Sequence, residues 1–287
     1  MILIADSGST KCDWRLVDGN KDYSDFKSVG INPYFHNEAF IEGELGKVDA
    51  LIVHAEKVKA VFFYGAGCSS PELKRIVDNA LGNVFTKAQI YVDHDLVAAA
   101  FSVYEDEPCI ACILGTGSNS CHFDGDIVRE EVPALAYILG DEGSGSYFGK
   151  KLLAAFLYKK LPETMREGLI NEFGLNKDAI MDRVYMKPHA NVYLAGFMRF
   201  ITSFKHEQWV QDTIREGLGH FLDVHVMCYR DYKTVKSNFI GSVAFFHEDL
   251  LREEATKRGI RIGNIMKKPL EGLYEYHVKN YFGKIAF

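Results

Sequence analysis

Ile2-Leu3-Ile4-Ala5-Asp6-Ser7-Gly8-Ser9-Thr10-Lys11, running on into Cys12-Asp13-Trp14-Arg15-Leu16-Val17, is the stretch whose reading decides the fold. Four apolar residues in a row predict a strand buried on both faces. The small polar turn Asp6–Lys11 then reverses the chain. Beyond it apolar Cys12, Trp14 and Leu16 alternate with polar Lys11, Asp13 and Arg15, the pattern of a half-buried return strand. A turn built of Ser, Gly and Thr can aim several backbone N–H groups and hydroxyls at one point, and such a cradle suits an anion, phosphate above all. An acid at the end of the buried strand would repel phosphate directly. Asp6 has a place there if a cation stands between the two, and Mg²⁺ does so while keeping several of its waters. An ordinary hairpin with a polar turn accounts for the same residues, so the choice falls to the rest of the chain.

A second copy follows. Cys109-Ile110-Ala111-Cys112-Ile113-Leu114 runs into Gly115-Thr116-Gly117-Ser118-Asn119-Ser120 and then Cys121-His122-Phe123-Asp124-Gly125. Two such hairpins about a hundred residues apart point to two similar halves, each offering a phosphate loop to a shared cleft. With both copies in place the sequence resembles the actin-like ATPase superfamily of sugar kinases, actin and heat-shock chaperones. Within it the match is to the BadF/BadG/BcrA/BcrD ATPase-like group, and there to the N-acetylglucosamine kinases. The resemblance runs over essentially the whole chain, with the motifs in the family's order. It implies an α/β fold of two actin-like ATPase (ribonuclease H-like) domains, each with a mixed five-stranded sheet, flanking a cleft. The expected N-terminal domain takes in residues 1–108 plus 272–287, and the C-terminal domain residues 109–271.

Composition is that of an ordered globular protein. The 287 residues leave room for two domains or one large one, and 47% hydrophobic with 25% charged residues is a globular mixture. A net charge of −6 without a basic block gives nucleic acid no electrostatic footprint. ATP remains open to such a chain, because N–H groups and Mg²⁺ neutralise it locally. Most of the six cysteines, at 12, 68, 109, 112, 121 and 228, lie in apolar strand-like runs, where Cys acts as a small hydrophobe. Cys109 and Cys112 have zinc-like spacing, but no second Cys or His pair follows closely, and within a strand their side chains point to opposite faces. Met1-Ile2-Leu3-Ile4-Ala5 lacks a basic flank and is cut short by Asp6, unlike a signal peptide. No apolar run approaches a membrane span. The expectation is a reduced, cytoplasmic protein with no membrane partner.

In chain order, Val17–Asn32 reads as polar and turn-rich, then extended. Gly30-Ile31-Asn32-Pro33-Tyr34 is a loop, because the residue before Pro is pushed out of the helical region. Asn32 offers a donor and an acceptor that suit a sugar hydroxyl, or serves as a turn Asn. Val58–Tyr64 is a strand ending in Gly65-Ala66-Gly67-Cys68-Ser69, which lacks the third glycine of a dinucleotide fingerprint. Ser70-Pro71-Glu72 opens a helix with an N-cap, a first-position Pro and a first-turn acid, and Gly82 is expected to stop it. Gln89–Asp95 is a strand ending in acids, continued by the apolar helix Leu96–Phe101, with Asp95 as a candidate N-cap. Gly140-Asp141-Glu142-Gly143-Ser144-Gly145-Ser146 precedes a helix over 147–160. Two acids beside glycines fit a ligand held by backbone and carboxylate, while a capped helix start accounts for Glu142 and Ser144 better than for Asp141. Residues 161–232 read as helices, notably 194–206 and 207–230. Ser237–Ala244 is a strand with a Gly-Ser end, 248–258 a helix, 261–265 an edge strand and 270–287 a last helix.

The resemblance assigns roles. Gly8, Ser9, Thr10 and Lys11 with Gly115, Thr116, Gly117 and Ser118 would hold the phosphates of ATP, and Asp6 would orient hydrated Mg²⁺. Asp95 precedes an Ala-rich helix, as the family's catalytic base does. Asn32, Asn119 and Asp141 would fix the sugar, and Gly241 with Ser242 would contact the adenosine. The implied reaction is phosphorylation of N-acetylglucosamine or a related small-molecule amino sugar by a homodimer. Neither Walker A spacing nor Gly-x-Ser-x-Gly occurs. Two alternatives stay open within the family: an ATPase activator of an acyl-CoA dehydratase or reductase, which needs exposed paired cysteines for an iron–sulfur cluster, and a non-catalytic sugar sensor.

Overall fold

The computed structural model describes residues 1–8 and 11–282, so Ser9, Thr10 and the last five residues lie outside the described residues. The chain divides into two compact units, one of Met1–Glu105 with the segment from Lys268 onward, the other of Asp106–Lys267. Both are α/β, and each is built on a mixed five-stranded sheet.

In the first unit the strands are β1 (Ile2–Ser7), β2 (Lys11–Val17), β3 (Tyr23–Val29), β4 (Ala60–Gly65) and β5 (Gln89–His94), in the order β3-β2-β1-β4-β5. The two hairpin partners pair antiparallel and the two crossover strands parallel. In the second unit β6 (Cys109–Leu114), β7 (Ser118–Phe123), β8 (Val128–Arg129), β9 (Lys236–Ile240) and β10 (Arg261–Met266) repeat that order as β8-β7-β6-β9-β10, with the same directions. The duplicated hairpin is thus the visible part of a duplicated sheet, and β10 is the edge strand expected from its sequence.

Central β1 is buried on both faces, as its unbroken apolar run requires. Leu3 and Ala5 pack with Trp14 and Phe63 against the helices Glu38–Leu45 and Pro71–Val84. Ile2 and Ile4 pack with Phe62 and Tyr64 against the helices Asp95–Ser102 and Leu270–Asn280. In the second unit β6 sends Ile110, Cys112 and Leu114 into a core with Phe148, Leu218 and Phe239.

The structure departs from the sequence reading at several points. β2 is not half-buried: beyond Lys11 every residue is inside. Its polar positions are covered because the Leu270–Asn280 helix and neighbouring β3 bring partners. The Arg15 guanidinium makes a two-pronged bond to Asp25 at 2.8 and 2.9 Å and a third to Glu271 at 2.7 Å, and it lies 3.8 Å from the Tyr23 ring centre. Asp13 receives the Lys268 ammonium at 2.9 Å. Part of the segment read as turn-rich is the edge strand β3. Gly82 does not stop its helix, which runs through to Val84, since one glycine costs only about 1 kcal/mol and Ala80 and Leu81 are already buried. The helix after the Gly-Asp-Glu-Gly-Ser motif is Gly145–Leu157, beginning two residues early because Ser144 caps it. The expected 194–206 helix is two pieces, Ala190–Gly196 and Met198–Ser203, and the Gln208–Phe221 helix widens into the π-helix Leu222–Val226. The last helix ends at Asn280.

That last helix crosses the Asp95–Ser102 helix at Gly272, where a Cβ would stand 1.9 Å from the Ser102 carbonyl oxygen. Gly272→Ala is therefore expected to destabilise the chain by about 1–3 kcal/mol or more, the range for overpacking. Gly43, inside the Glu38–Leu45 helix, meets nothing within 4 Å, so Gly43→Ala should stabilise by about 0.5–1 kcal/mol. Urea unfolding followed by circular dichroism measures both, and equal stabilities for the two variants would contradict the close crossing.

Candidate functional site

In the first unit the strand ends collect carboxylates. Asp6 lies opposite Asp13 on β2 and Tyr64 on β4, and Tyr64 lies opposite Asp93 on β5. Paired residues share a face, so Asp6 and Asp13 lie on the side covered by the last helix. No described residue gives the Asp6 carboxylate a hydrogen bond or an ion pair. Burial, reinforced by the charges of Asp95 and Asp13, pushes it up to about 7, with Lys268 and Lys11 opposing. Gly8 N–H bonds the Lys11 carbonyl at 3.0 Å; the expected phosphate contacts Ser9 and Thr10 lie outside the described residues.

The neighbouring loop is tied to the same strand end. Ser7 Oγ accepts from Ile31 N–H at 2.8 Å and donates to Ile31 O at 3.1 Å, which brings Asn32 beside β1. Asn32 Oδ1 accepts from Tyr34 N–H at 3.0 Å, so its oxygen serves as a turn acceptor. Its Nδ2 makes no hydrogen bond with a described residue. Gly67, at φ 88°, lets the loop close, since a Cβ there would meet Asn32 Oδ1 at 2.4 Å. Asp95 is the first residue of the helix Asp95–Ser102 rather than its N-cap: His94 takes that position, its Nδ1 3.2 Å from Leu96 N–H. The reason is local, because β5 holds His94 in extended backbone up to the helix start. His94 Nδ1 also stands 2.8 Å from Asp95 Oδ1.

In the second unit the β6–β7 turn is Gly115–Gly117, shorter than expected, because Ser118, Asn119 and Ser120 already belong to β7. The first N–H groups of the Gly145–Leu157 helix bond the Gly115 and Thr116 carbonyls at 2.8 and 3.0 Å. Asp141, at φ 58°, folds over Gly117 and accepts from Ser118 N–H and Ser146 O–H, each at 3.2 Å. Burial raises its carboxyl above the ordinary range. Two expected ligand contacts, Asp141 and Ser118, are thus brought together and engaged with each other. Asn119 donates to Glu130 at 3.2 Å, and Thr116 is exposed. Glu142 stands 3.3 Å from Nε2 of buried His225, on the π-helix.

Gly241 sits where β9 meets the end of β6: at φ 121°, its Cβ would lie 2.2 Å from the Leu114 carbonyl oxygen, so only glycine fits. Ser242 opens the short helix Ser242–Phe246 and lines a cavity of 490 Å³ with Gly196, Met198, Arg199, Thr202 and Phe246. The Lys267 ammonium lies 4.7 Å from the Phe246 ring centre. A mainly apolar cavity with an aromatic ring and a guanidinium can take a flat heterocycle. Sequence reasoning missed its Met198, Arg199 and Thr202 wall, because that helix also carries the core residues Phe200 and Ile201 and its periodicity reports the core alone.

Neither a family model nor a curated protein matches the chain. Solved structures do. A crystal structure from Porphyromonas gingivalis, described as a "Putative N-acetylglucosamine Kinase", superposes with a TM-score of 0.93 at 38% identity, over 98% of this chain and 100% of that one. A protein of the same description from Chromobacterium violaceum matches with a TM-score of 0.70 at 15% identity, over 96% and 98% of the two chains. A ROK family glucokinase from Streptomyces griseus, in complex with glucose and AMPPNP, matches at 0.56 and 16% over 96% and 97%; these two likenesses concern the fold. With the Porphyromonas relative 38% identical along nearly its whole length, the chain belongs to the N-acetylglucosamine kinase-like family of the actin-like ATPase superfamily.

Proposed function

We propose that the protein transfers the γ-phosphoryl group of ATP to a hydroxyl of N-acetylglucosamine or a closely related amino sugar. The observation that carries the reading is the pair Asp6 and Asp95: a half-buried carboxylate with no cation bonded to it among the described residues, and a second one at a helix start close enough to raise the first. In the reaction the sugar oxygen bonds to the γ-phosphorus, the bond from that phosphorus to the bridging oxygen breaks, and ADP leaves. The hydroxyl proton passes to Asp95. Such a transition state needs positioning and charge neutralisation more than covalent help.

The donor set suits Mg²⁺. Asp6 is an oxygen ligand whose charge burial disfavours and a divalent cation would restore. When bound, the ion would neutralise phosphate charge. Gly8 and Lys11, with Ser9 and Thr10, and Gly115 and Thr116 with Gly117 and Ser118, would hold phosphates. Ser118 N–H would do so by exchanging its bond to Asp141, which would free that carboxylate for a sugar hydroxyl. Asn32 Nδ2 and Asn119 would complete the sugar's contacts. The cavity beside Gly241 and Ser242, with Arg199, supports an adenosine site. The family resemblance also suggests a homodimer. The six cysteines form no disulfide and only Cys228 is more than marginally accessible, which favours the kinase over an activator with an exposed thiol pair.

ADP release measured against a panel of amino sugars tests the activity. Turnover should depend on sugar, and rapid hydrolysis of ATP without sugar would favour the activator reading. Asp95→Asn should lower kcat on the order of 10²–10⁴-fold while leaving both substrates bound nearly as before. A variant keeping more than about a third of the rate would reduce Asp95 to a structural residue.

Asp6 also makes a prediction about stability. Its folded pKa of about 7 lies above the unfolded value, so its ionised form costs stability, fully above pH 7 and less as the pH falls toward that of a free carboxyl. Asp6→Asn should therefore be more stable than the parent near about pH 8, by up to several kcal/mol, with the advantage shrinking toward about pH 4. Mg²⁺ should stabilise the parent and not the variant. Denaturant unfolding across pH checks both; a pH-independent difference would remove Asp6 from the metal site.

A further inference from the structure

Two lysines far apart in the sequence converge on one oxygen of Asp13. Lys268 Nζ stands 2.9 Å from Asp13 Oδ2, and Lys11 Nζ stands 3.9 Å from the same atom. The carboxylate is fixed. Asp13 lies on β2, paired with Asp6 on one side and Lys27 on the other, and only 8% of its side chain is exposed. Lys11 opens β2 at the first hairpin turn. Lys268 precedes Pro269, the residue before the last helix, and a following proline disfavours helical backbone at Lys268. Both ammoniums therefore stand at the end of β1 that carries Asp6.

A buried carboxylate needs one cation. Lys268 supplies it, through a hydrogen bond of charge-assisted length. Lys11, at 3.9 Å, adds charge without such a bond. Its proton donors are unspent on Asp13, and Lys268 has spent only one of its own. The Lys11 side chain is 59% exposed and that of Lys268 44%, so these donors are open to a ligand. Both lysines act on the charge of Asp6, yet neither bonds it. Asp13 thus gathers two positive charges beside the turn where neutralising it takes one. A surplus charge with open donors suits an anion with several acceptor oxygens.

We propose that Asp13 is a positioning residue that sets Lys268 beside Lys11, and that the two ammoniums clamp a phosphate of the nucleotide. The assignment rests on the nucleotide half of the kinase reading above and not on the sugar. Two free lysines would lose rotamer freedom on binding; tied to a carboxylate on a strand paired along both edges, they lose less. Lysine suits the task as a compact charge with rotatable donors.

Substitutions that differ in charge separate the clamp from simple neutralisation of Asp13. The double variant Asp13→Asn/Lys268→Met removes a buried charge together with its partner, so the fold is kept and the net charge is unchanged. Lys268→Gln can still donate to Asp13 but carries no charge. Equilibrium binding, with Mg²⁺ and without sugar, is measured for ATP, tripolyphosphate and adenosine. Both variants should bind ATP and tripolyphosphate about tenfold or more weakly and adenosine within about twofold of the parent. Asp13→Asn alone tests the positioning. A bare charge count predicts tighter ATP binding when an acid is removed, whereas loss of positioning weakens it, raising KM for ATP and not for sugar. Tighter or unchanged ATP binding by Asp13→Asn overturns the positioning role. ATP binding within about twofold of the parent in Lys268→Gln overturns the clamp and leaves Lys268 as a counter-ion. Parent protein that binds ATP but phosphorylates no amino sugar overturns the kinase reading while the clamp stands on its own titration. Parent protein that binds neither ATP nor tripolyphosphate overturns both.

Discussion

β1 is hydrogen-bonded along both edges over all six of its residues, antiparallel to β2 and parallel to β4, and the site in the first unit depends on that double register. A slip of one residue would turn Asp6 to the opposite face and put Leu3 and Ala5 where Ile2 and Ile4 belong. Both faces are packed with apolar side chains, so such a slip is strongly disfavoured. A carboxylate that burial would otherwise reject is held in place by the core of the whole unit. Preorganisation of this kind lets a site hold an ion without first reorganising around it.

The second sheet has the same strand order but handles its turn differently. Among the described residues the first turn is spanned by the Gly8 N–H bond to the Lys11 carbonyl, whereas the second is gripped by the start of a helix and by the folded-over Asp141. There Asp141 takes the Ser118 N–H, while the buried Ser118 hydroxyl has no partner among the described residues. A ligand that takes the Ser118 N–H must replace an existing bond, and replacement is selective, because only a group matching the Asp141 carboxylate in charge and geometry breaks even. Sheet order is common to both units; the state of the turns is not.

The sheets were legible because their signals are local. Buried strands show as apolar runs, hairpin turns as small polar residues, and the two copies reinforce each other. β2 was misread as half-buried because alternation records the chemistry of side chains and not what covers them: Asp25, Glu271 and Lys268, which neutralise Arg15 and Asp13, arrive from β3 and from the far end of the chain. Gly82 was given a stop that its helix ignores, since tertiary packing outweighs a single propensity. At the candidate site the residue types of Asp6, Asp95 and Asp141 could be read from spacing and resemblance. Their hydrogen bonds could not. That His94 would cap the Asp95–Ser102 helix, or that Asp141 would fold over Gly117, follows from backbone angles at a strand end and a loop, and no periodicity encodes these.

The return of the C-terminal helix to the first sheet also sets an order of assembly. Ile2, Ile4 and Tyr64 are covered by Leu270 and Leu273, and the Arg15 guanidinium is neutralised in part by Glu271. A ribosome releases the first five strands and the Asp95–Ser102 helix long before those residues exist, so the nascent first unit waits with one sheet face only partly covered and a charged side chain half-served. The second unit, continuous from Asp106 to Lys267, can close on itself during that wait. Domains that emerge first commonly fold first. Here vectorial synthesis and topology point in opposite directions, and the last helix acts as the clasp that completes the unit begun earliest.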